Sequence, residues 1–196
     1  MPMITIDGNI GCGKTSVLNY LHKINKTSID LEPVDNWLPY LKNMYIDKKN
    51  TFKFQVRIWL DRCWIQEKID KPNILVERSP HFIKNVFIEL AKNEMIIEED
   101  EYNILLNLHD KTEELWNNNI YIYLRSNPEL CLARIKKRNR VSENNITLEK
   151  IINIHNLHEK TYKNMLNKNV IFVINIEDKT LQTIANEIMK LINNLY

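Results

Sequence analysis

Glycine is almost missing from this chain of 196 residues. There are three, and all lie between positions 8 and 13. The residue that enters positive φ without a steric penalty is therefore kept for one place. Cysteine is scarce too: Cys12, Cys63 and Cys131 stand far apart, with neither zinc-ligand nor disulfide-framework spacing, which suits a reducing compartment. No apolar run approaches the roughly 20 residues that span a bilayer, so no membrane partner is expected. The first strand-like segment starts at residue 3, leaving no room for a leader, and a cytoplasmic setting is expected. A dominant charge sign is lacking as well. The 27 Lys and Arg against 25 Asp and Glu give no electrostatic sign of a nucleic-acid partner. No repeat, low-complexity tract or linker divides the chain, and its length suits one domain over residues 1–196.

What the chain does have is Gly8-Asn9-Ile10-Gly11-Cys12-Gly13-Lys14-Thr15, which fits G-x-x-x-x-G-K-S/T, the phosphate-binding loop. Such a loop bends tightly and turns its N–H groups toward phosphate oxygens, with Lys14 reaching the outer phosphates and the Thr15 hydroxyl ligating Mg²⁺. The flanks agree. Residues 3–7 read as a buried strand entering the loop. Ser16 continues into a helix with Val17, Leu18 and Leu21 at helical spacing, whose N-terminus adds its dipole. ATP with Mg²⁺ is the expected cofactor pair.

Short apolar segments recur at 3–7, 28–31, 74–77, 120–124 and 170–174, as for strands buried on both faces of a parallel sheet. Helical patterns fill the gaps at 14–25, 37–44, 52–69, 81–92, 98–116, 128–137, 148–166 and 179–195. The alternation predicts an α/β fold with five parallel strands and helices on both faces. Asn127-Pro128 and Ser79-Pro80 read as helix starts. The acid-rich turn at 98–101 has the sign that suits a helix N-terminus, and His155 and His158 read as core or interface residues rather than a metal pair.

Strands of such a sheet deliver their C-terminal ends to the phosphate-loop edge. Glu32 follows the second strand there, and Glu77-Arg78-Ser79 the third. The helix from residue 52 is mostly apolar, yet Gln55, Ile58 and Arg62 share one side of it. Two polar groups on such a helix need partners, and the edge of a bound base would serve the amide. Residues 134–140 hold five cations in seven, read as a helical basic lid over about 134–145 that clamps transferring phosphates.

These residues, with Glu32-Pro33-Val34 and Trp37, Met44-Tyr45, Phe54-Gln55, Tyr123-Leu124-Arg125 followed by Pro128, and the segment 155–159, together resemble the deoxyribonucleoside kinases. That group contains deoxycytidine and deoxyguanosine kinases, the mitochondrial thymidine kinase and the insect multisubstrate enzyme. The likeness runs over essentially the whole chain, which looks like a viral or cytosolic member. It implies a P-loop NTPase-type fold and transfer of the ATP γ-phosphate to a deoxynucleoside 5′-hydroxyl. It further implies Glu32 as general base, Arg78 on the 5′-oxygen and the transferring phosphoryl group, and Glu77 with Thr15 at Mg²⁺. Tyr45 and Glu143 would grip the 3′-hydroxyl. Gln55 would meet the base between Phe87 and a wall of Trp37, Met44 and Ile58. Arg134, Arg138 and Arg140 match lid arginines, the loop 175–180 would lie near the adenine, and a homodimer is implied through the helices near 81–92 and 98–116.

Arg62 resembles an arginine that the deoxycytidine/deoxyguanosine branch pairs with an aspartate, but Ile83 stands where the aspartate would be. Arg62 must then find Glu32, Glu77 or the base. An apolar Ile83 lacks the group a purine edge would use there, so a pyrimidine, thymidine or deoxycytidine, is expected. Two other readings share the phosphate loop: a monophosphate kinase of the thymidylate type and a non-catalytic nucleotide-binding protein. Glu32 argues against the first, since an acceptor that is already phosphorylated wants cations beside it.

Overall fold

The structure, a computed structural model, describes residues 3–64, 74–116 and 118–195. Five strands form one parallel sheet in the order β2-β3-β1-β4-β5. They are β1 (Ile4–Gly8), β2 (Ile29–Asp30), β3 (Leu75–Glu77), β4 (Ile120–Arg125) and β5 (Val170–Asn175). Thr5 lies opposite Val76 on one side and Tyr121 on the other, so β1 is central. The chain passes from β1 to the edge strand β2, back to β3 beside β1, then across to β4 and β5, and the loop leaving β1 lies at the C-terminal edge of the sheet, where open α/β sheets bind ligands. β1 is buried throughout, as expected. β2 and β5 are only partly buried, because each is a sheet edge. Burial on both faces thus holds for the inner strands and not for these two.

One face of the sheet is covered by α1 (Lys14–Asn25) and α9 (Leu181–Asn193). Ile184, Ile188 and Ile192 of α9 join Val17, Leu18 and Leu21 of α1 in a core with Ile4, Ile6 and Ile122. Full burial of each such isoleucine or leucine contributes about 1.5–3 kcal/mol. α7 (Pro128–Arg138) and α8 (Leu148–Met165) follow β4, and Ile154 and Met165 of α8 pack on Tyr121, Phe82 and Val86. Toward the β2 edge stand α2 (Val34–Ile46) and α3 (Thr51–Arg62), joined through Trp37, Phe54 and Ile58.

The expected helix at 81–92 is composite: α4 (Pro80–Phe82), a π-helical stretch Ile83–Ile88, then α5 (Glu89–Asn93). Side chains take up carbonyls along it, with Asn85 Nδ2 donating to His81 O at 2.8 Å and Thr161 Oγ1 to Asn85 O at 3.4 Å. π-stretches gather at functional sites. The pattern at 98–116 resolves into α6 (Glu99–Thr112) and a 3₁₀ turn Glu113–Trp116. Its acidic start is a capping box of Glu98 with Glu101, as the charge there suggests. The 52–69 pattern is helical to Arg62, and its last part, 65–69, lies outside the described residues. Asn127 caps α7 by accepting from Glu129 N at 2.8 Å, ahead of Pro128. No helix among the described residues is long and apolar enough to cross a membrane.

Candidate active site

The loop from β1 to α1 is built on its glycines. Gly8, Gly11 and Gly13 all have positive φ. A Cβ on Gly11 would lie 2.5 Å from Cys131 O and 2.9 Å from Ile135 Cγ1, so the loop can lie this close to α7 only with glycine there. The Asn9 side chain braces it, Nδ2 donating to Ile151 O of α8 at 3.0 Å while Oδ1 accepts from Ile10 N at 2.8 Å. Lys14 Nζ donates to Gly8 O and Asn9 O, both at 3.1 Å. Gly8 and Asn9, expected among the ATP contacts, do not line the cleft. They form its floor, one carbonyl each holding the lysine.

The strand ends meet this loop as the topology requires. Thr15 Oγ1 donates to Glu77 Oε1 at 2.6 Å, and Glu77 Oε2 accepts from Glu32 N at 3.2 Å. Arg78 Nε donates to Glu32 Oε1 at 2.5 Å. Burial pushes the Glu32 carboxyl up, but the charges of Arg78, Lys14 and Arg62 and the Arg78 hydrogen bond outweigh it, and its pKa is lowered. Burial likewise opposes the Arg78 cation, yet Glu32, Asp7 and Glu77 around it raise its pKa. Arg78 holds φ at +67°, an uncommon setting for a side chain of this size. It is fixed there by its own N–H to Ile6 O at 3.0 Å and, one residue on, by Ser79 N to Asp7 Oδ1 at 2.9 Å. The guanidinium carbon lies 4.4 Å from the centre of the Phe87 ring, and Nη1 is buried without a protein partner.

One cleft of about 970 Å³ joins the phosphate loop to an apolar chamber. Trp37, Met44, Ile58, Ile83 and Phe87 line the chamber with Gln55, whose Oε1 is buried and unpartnered. Trp37 is oriented by Nε1 donating to Asp61 Oδ2 at 2.7 Å. Tyr45 and Glu143 line the rim, close enough that the Glu143 charge, after burial, helps to raise the Tyr45 pKa.

The sequence profile of the deoxynucleoside kinase family matches residues 4–196. The chain belongs to that family. A protein named as a kinase in invertebrate iridescent virus 6 is 28% identical over 197 residues, 99% of this chain and 98% of its own. Human mitochondrial thymidine kinase 2 is 30% identical over 168 residues, 81% of this chain but 63% of its own length. Deoxyadenosine kinase from M. mycoides, solved with bound dCTP, superposes with a TM-score of 0.86 at 26% identity, over 98% of this chain and 99% of that one. By kinship of sequence and fold, the chain is an ATP-dependent nucleoside kinase.

In this deoxynucleoside kinase the three arginines expected in a lid, Arg134, Arg138 and Arg140, all border the cleft. Arg134 Nη1 donates to Cys12 O at 3.1 Å, tying α7 to the phosphate loop. Arg138 grips Glu143 with two bonds of 2.6 and 2.5 Å, and Arg140 lies 3.8 Å from the same carboxylate. The pairing of two expected site residues with each other was not legible in the sequence. Ser16 lines the cleft, and Lys179 represents the 175–180 loop there.

Of the partners expected for Arg62, the structure gives it Glu77, through the backbone, and Arg62 does not line the cleft. Its guanidinium is 1% exposed and bonds Asp30 Oδ2 at 2.7 Å, Leu31 O at 3.2 Å and, through Nη2, the backbone oxygen of Glu77 at 2.6 Å. With no acid at Ile83 to draw it toward the chamber, it turns to the strand ends instead.

One buried acid, Asp7, went unnoticed in the sequence, whereas His158 is the core residue expected there. Asp7 is the one acid in β1. Burial raises its pKa against the Ser79 amide bond and the charges of Arg78 and Lys14. An acid in an otherwise apolar strand, next to the glycine loop, was the available signal. His158 is wholly buried, its ring 5.4 Å from Phe82 and 5.8 Å from Tyr123, which are themselves 5.9 Å apart, and it meets Phe87 edge-on at 6.1 Å. Tyr123 in turn donates to Glu159, which pairs with Arg125.

Proposed function

We propose that this chain transfers the ATP γ-phosphate to the 5′-hydroxyl of a deoxynucleoside, with pyrimidines preferred. The carrying observation is that Glu32 and Arg78, 2.5 Å apart, face the same cleft as the phosphate loop and the free Gln55 oxygen. Lys14, the loop amides and the lid cations would hold the triphosphate. Thr15 and Glu77 present hard oxygen donors that suit Mg²⁺. Among the described residues no group of three or more His, Cys, Asp or Glu forms a metal cage, so phosphate oxygens would supply much of the coordination. Bound there, the ion would neutralise charge on the phosphoryl oxygens.

Glu32 takes the proton of the 5′-hydroxyl as that oxygen bonds to phosphorus and the bond to the departing diphosphate breaks. Its lowered pKa makes it a weak base, which fits a loose transition state in which the proton leaves late. The unpartnered Arg78 Nη1 is an orphan donor beside the reacting oxygens. On the base side, Gln55 Oε1 needs an N–H donor, and its amide can turn to match cytosine or thymine. Ile83 offers a purine edge no polar group. Relatives do not all point one way: they include human deoxycytidine kinase and a Dictyostelium deoxyadenosine kinase, while the M. mycoides deoxyadenosine kinase was also solved with dCMP as a product.

The deciding assay offers all four deoxynucleosides, and their monophosphates, with ATP and Mg²⁺. The highest kcat/KM is expected on deoxycytidine or thymidine. A purine leader would overturn the base preference, and transfer to monophosphates alone would overturn the whole reading. A cytoplasmic setting, supported by viral relatives, and a homodimer belong to the same proposal. α6 offers Ile104, 46% exposed, to a second copy. Sedimentation velocity at micromolar concentration is expected to give a dimer, and a monomer would exclude it.

A further inference from the structure

β2 is two residues long, and its ladder with β3 ends at the pair Asp30–Val76. Beyond that pair the two chains carry Glu32 and Glu77, whose spacing decides whether a proton acceptor and a metal ligand stand correctly across the cleft. Strand hydrogen bonds no longer fix that spacing. One direct bond, Glu32 N to Glu77 Oε2 at 3.2 Å, and one buried guanidinium take their place. Arg62 Nη1 bonds Asp30 Oδ2 and Leu31 O on the β2 side, and Nη2 bonds Glu77 O on the β3 side. A planar fork with fixed angles between its donors holds such a gap better than a flexible ammonium would. α3, which supplies it, also carries Gln55.

We infer that Arg62 is a positioning residue, which fastens the end of β2 to the end of β3 and so sets Glu32 against the Thr15–Glu77 pair without touching the nucleoside. The inference rests on the reading of Glu32 as the base and Glu77 as a metal ligand.

The test compares Arg62→Met, Arg62→Lys, Asp30→Asn and the double variant Asp30→Asn/Arg62→Met on all four deoxynucleosides, with melting temperatures alongside. A displacement of about 1 Å at reacting groups costs up to about 100-fold in rate. Arg62→Met and Asp30→Asn are therefore expected to lower kcat about 10- to 100-fold, by a similar factor for every nucleoside. Nucleoside KM should move little, and the Mg²⁺ concentration for half-maximal rate should rise. Arg62→Lys should recover part of kcat. In the double variant kcat should stay low whatever the melting temperature does, which separates positioning from mere stability. Should Arg62→Met not fold, Asp30→Asn and Arg62→Lys carry the same readouts.

Three results would overturn the inference: an Arg62→Met enzyme about as fast as the parent, a change of about tenfold or more in the ratio of kcat/KM between two nucleosides, or a kcat that recovers with the melting temperature in the double variant. Glu32→Gln is run beside these. If that variant is fully active, the assignment of the base fails whatever Arg62 does. If it is inactive and Arg62→Met is not impaired, this inference alone falls.

Discussion

Glu32 is held by two kinds of bond with different consequences. Its backbone N–H is tied to Glu77, and its carboxylate to Arg78. Glu32→Gln keeps the first and one hydrogen bond of the second while removing the charge. The expected result is a folded enzyme whose kcat is lower by about 10²–10⁴, the usual worth of a general base. The pH dependence follows from the lowered carboxyl pKa. Its stabilising contribution is present above the ordinary glutamate value of 4.5 and is lost as pH falls through the lower folded value. Urea midpoints measured from pH 6 downward should show that loss in the parent, and Glu32→Gln should lack this part of it. An equal acid dependence in both would mean that the ion pair with Arg78 is not felt in solution.

Among the elements, the phosphate loop and α1 were legible because glycine, lysine and helical spacing state their geometry locally. The α1 bounds match expectation. α2 was read too short at both ends, 37–44 against Val34–Ile46, with Pro39 inside it in either case. The π-stretch was invisible, since Ile83–Ile88 differs from an α-helix only by how its carbonyls are taken up. Arg62 was placed correctly on its helix and Glu77 was among its expected partners, but Asp30 was not, because it lies 32 residues away and no periodicity encodes that meeting. The loop yields a prediction at this scale. In Gly11→Ala the new Cβ would meet the Cys131 backbone oxygen and the Ile135 side chain, at a φ of +81° that alanine disfavours. The loop must then move off α7. A stability loss of about 1–3 kcal/mol is expected, with an ATP KM raised about tenfold or more and nucleoside binding less affected. Thermal melts and steady-state kinetics with each substrate varied in turn check it. An ATP KM equal to the parent's would show that the loop tolerates the shift.

Across the whole molecule, three histidines share a bias that no single element shows. His109 and His158 are buried, and His81 is partly so. Burial, with the charges of Lys84 and Lys168, lowers His81 to about 4. Burial, Lys84 and His81 lower His109 to about 4, against Asp110. Burial and Arg78 lower His158 well below its usual range, against the Ile154 carbonyl. Each folded pKa lies below the unfolded value near 6.5, so the unfolded chain binds more protons between the two. Stability is therefore full above pH 6.5 and falls as pH drops, with His109 alone accounting for about 2 kcal/mol between pH 8 and pH 5. The window is distinct from that of Glu32, which acts below about 4.5, while Asp7, raised by burial, works in the opposite direction toward the acid side. Urea denaturation at pH 8, 6.5 and 5 should thus show a steep decline in the second interval. His158→Phe keeps the stack with Phe82 and Tyr123 and gives up the bond to Ile154 O. It should be less stable than the parent at pH 8, yet lose less stability between pH 8 and pH 5, so the two curves should converge. Parallel curves would place the titrating groups elsewhere.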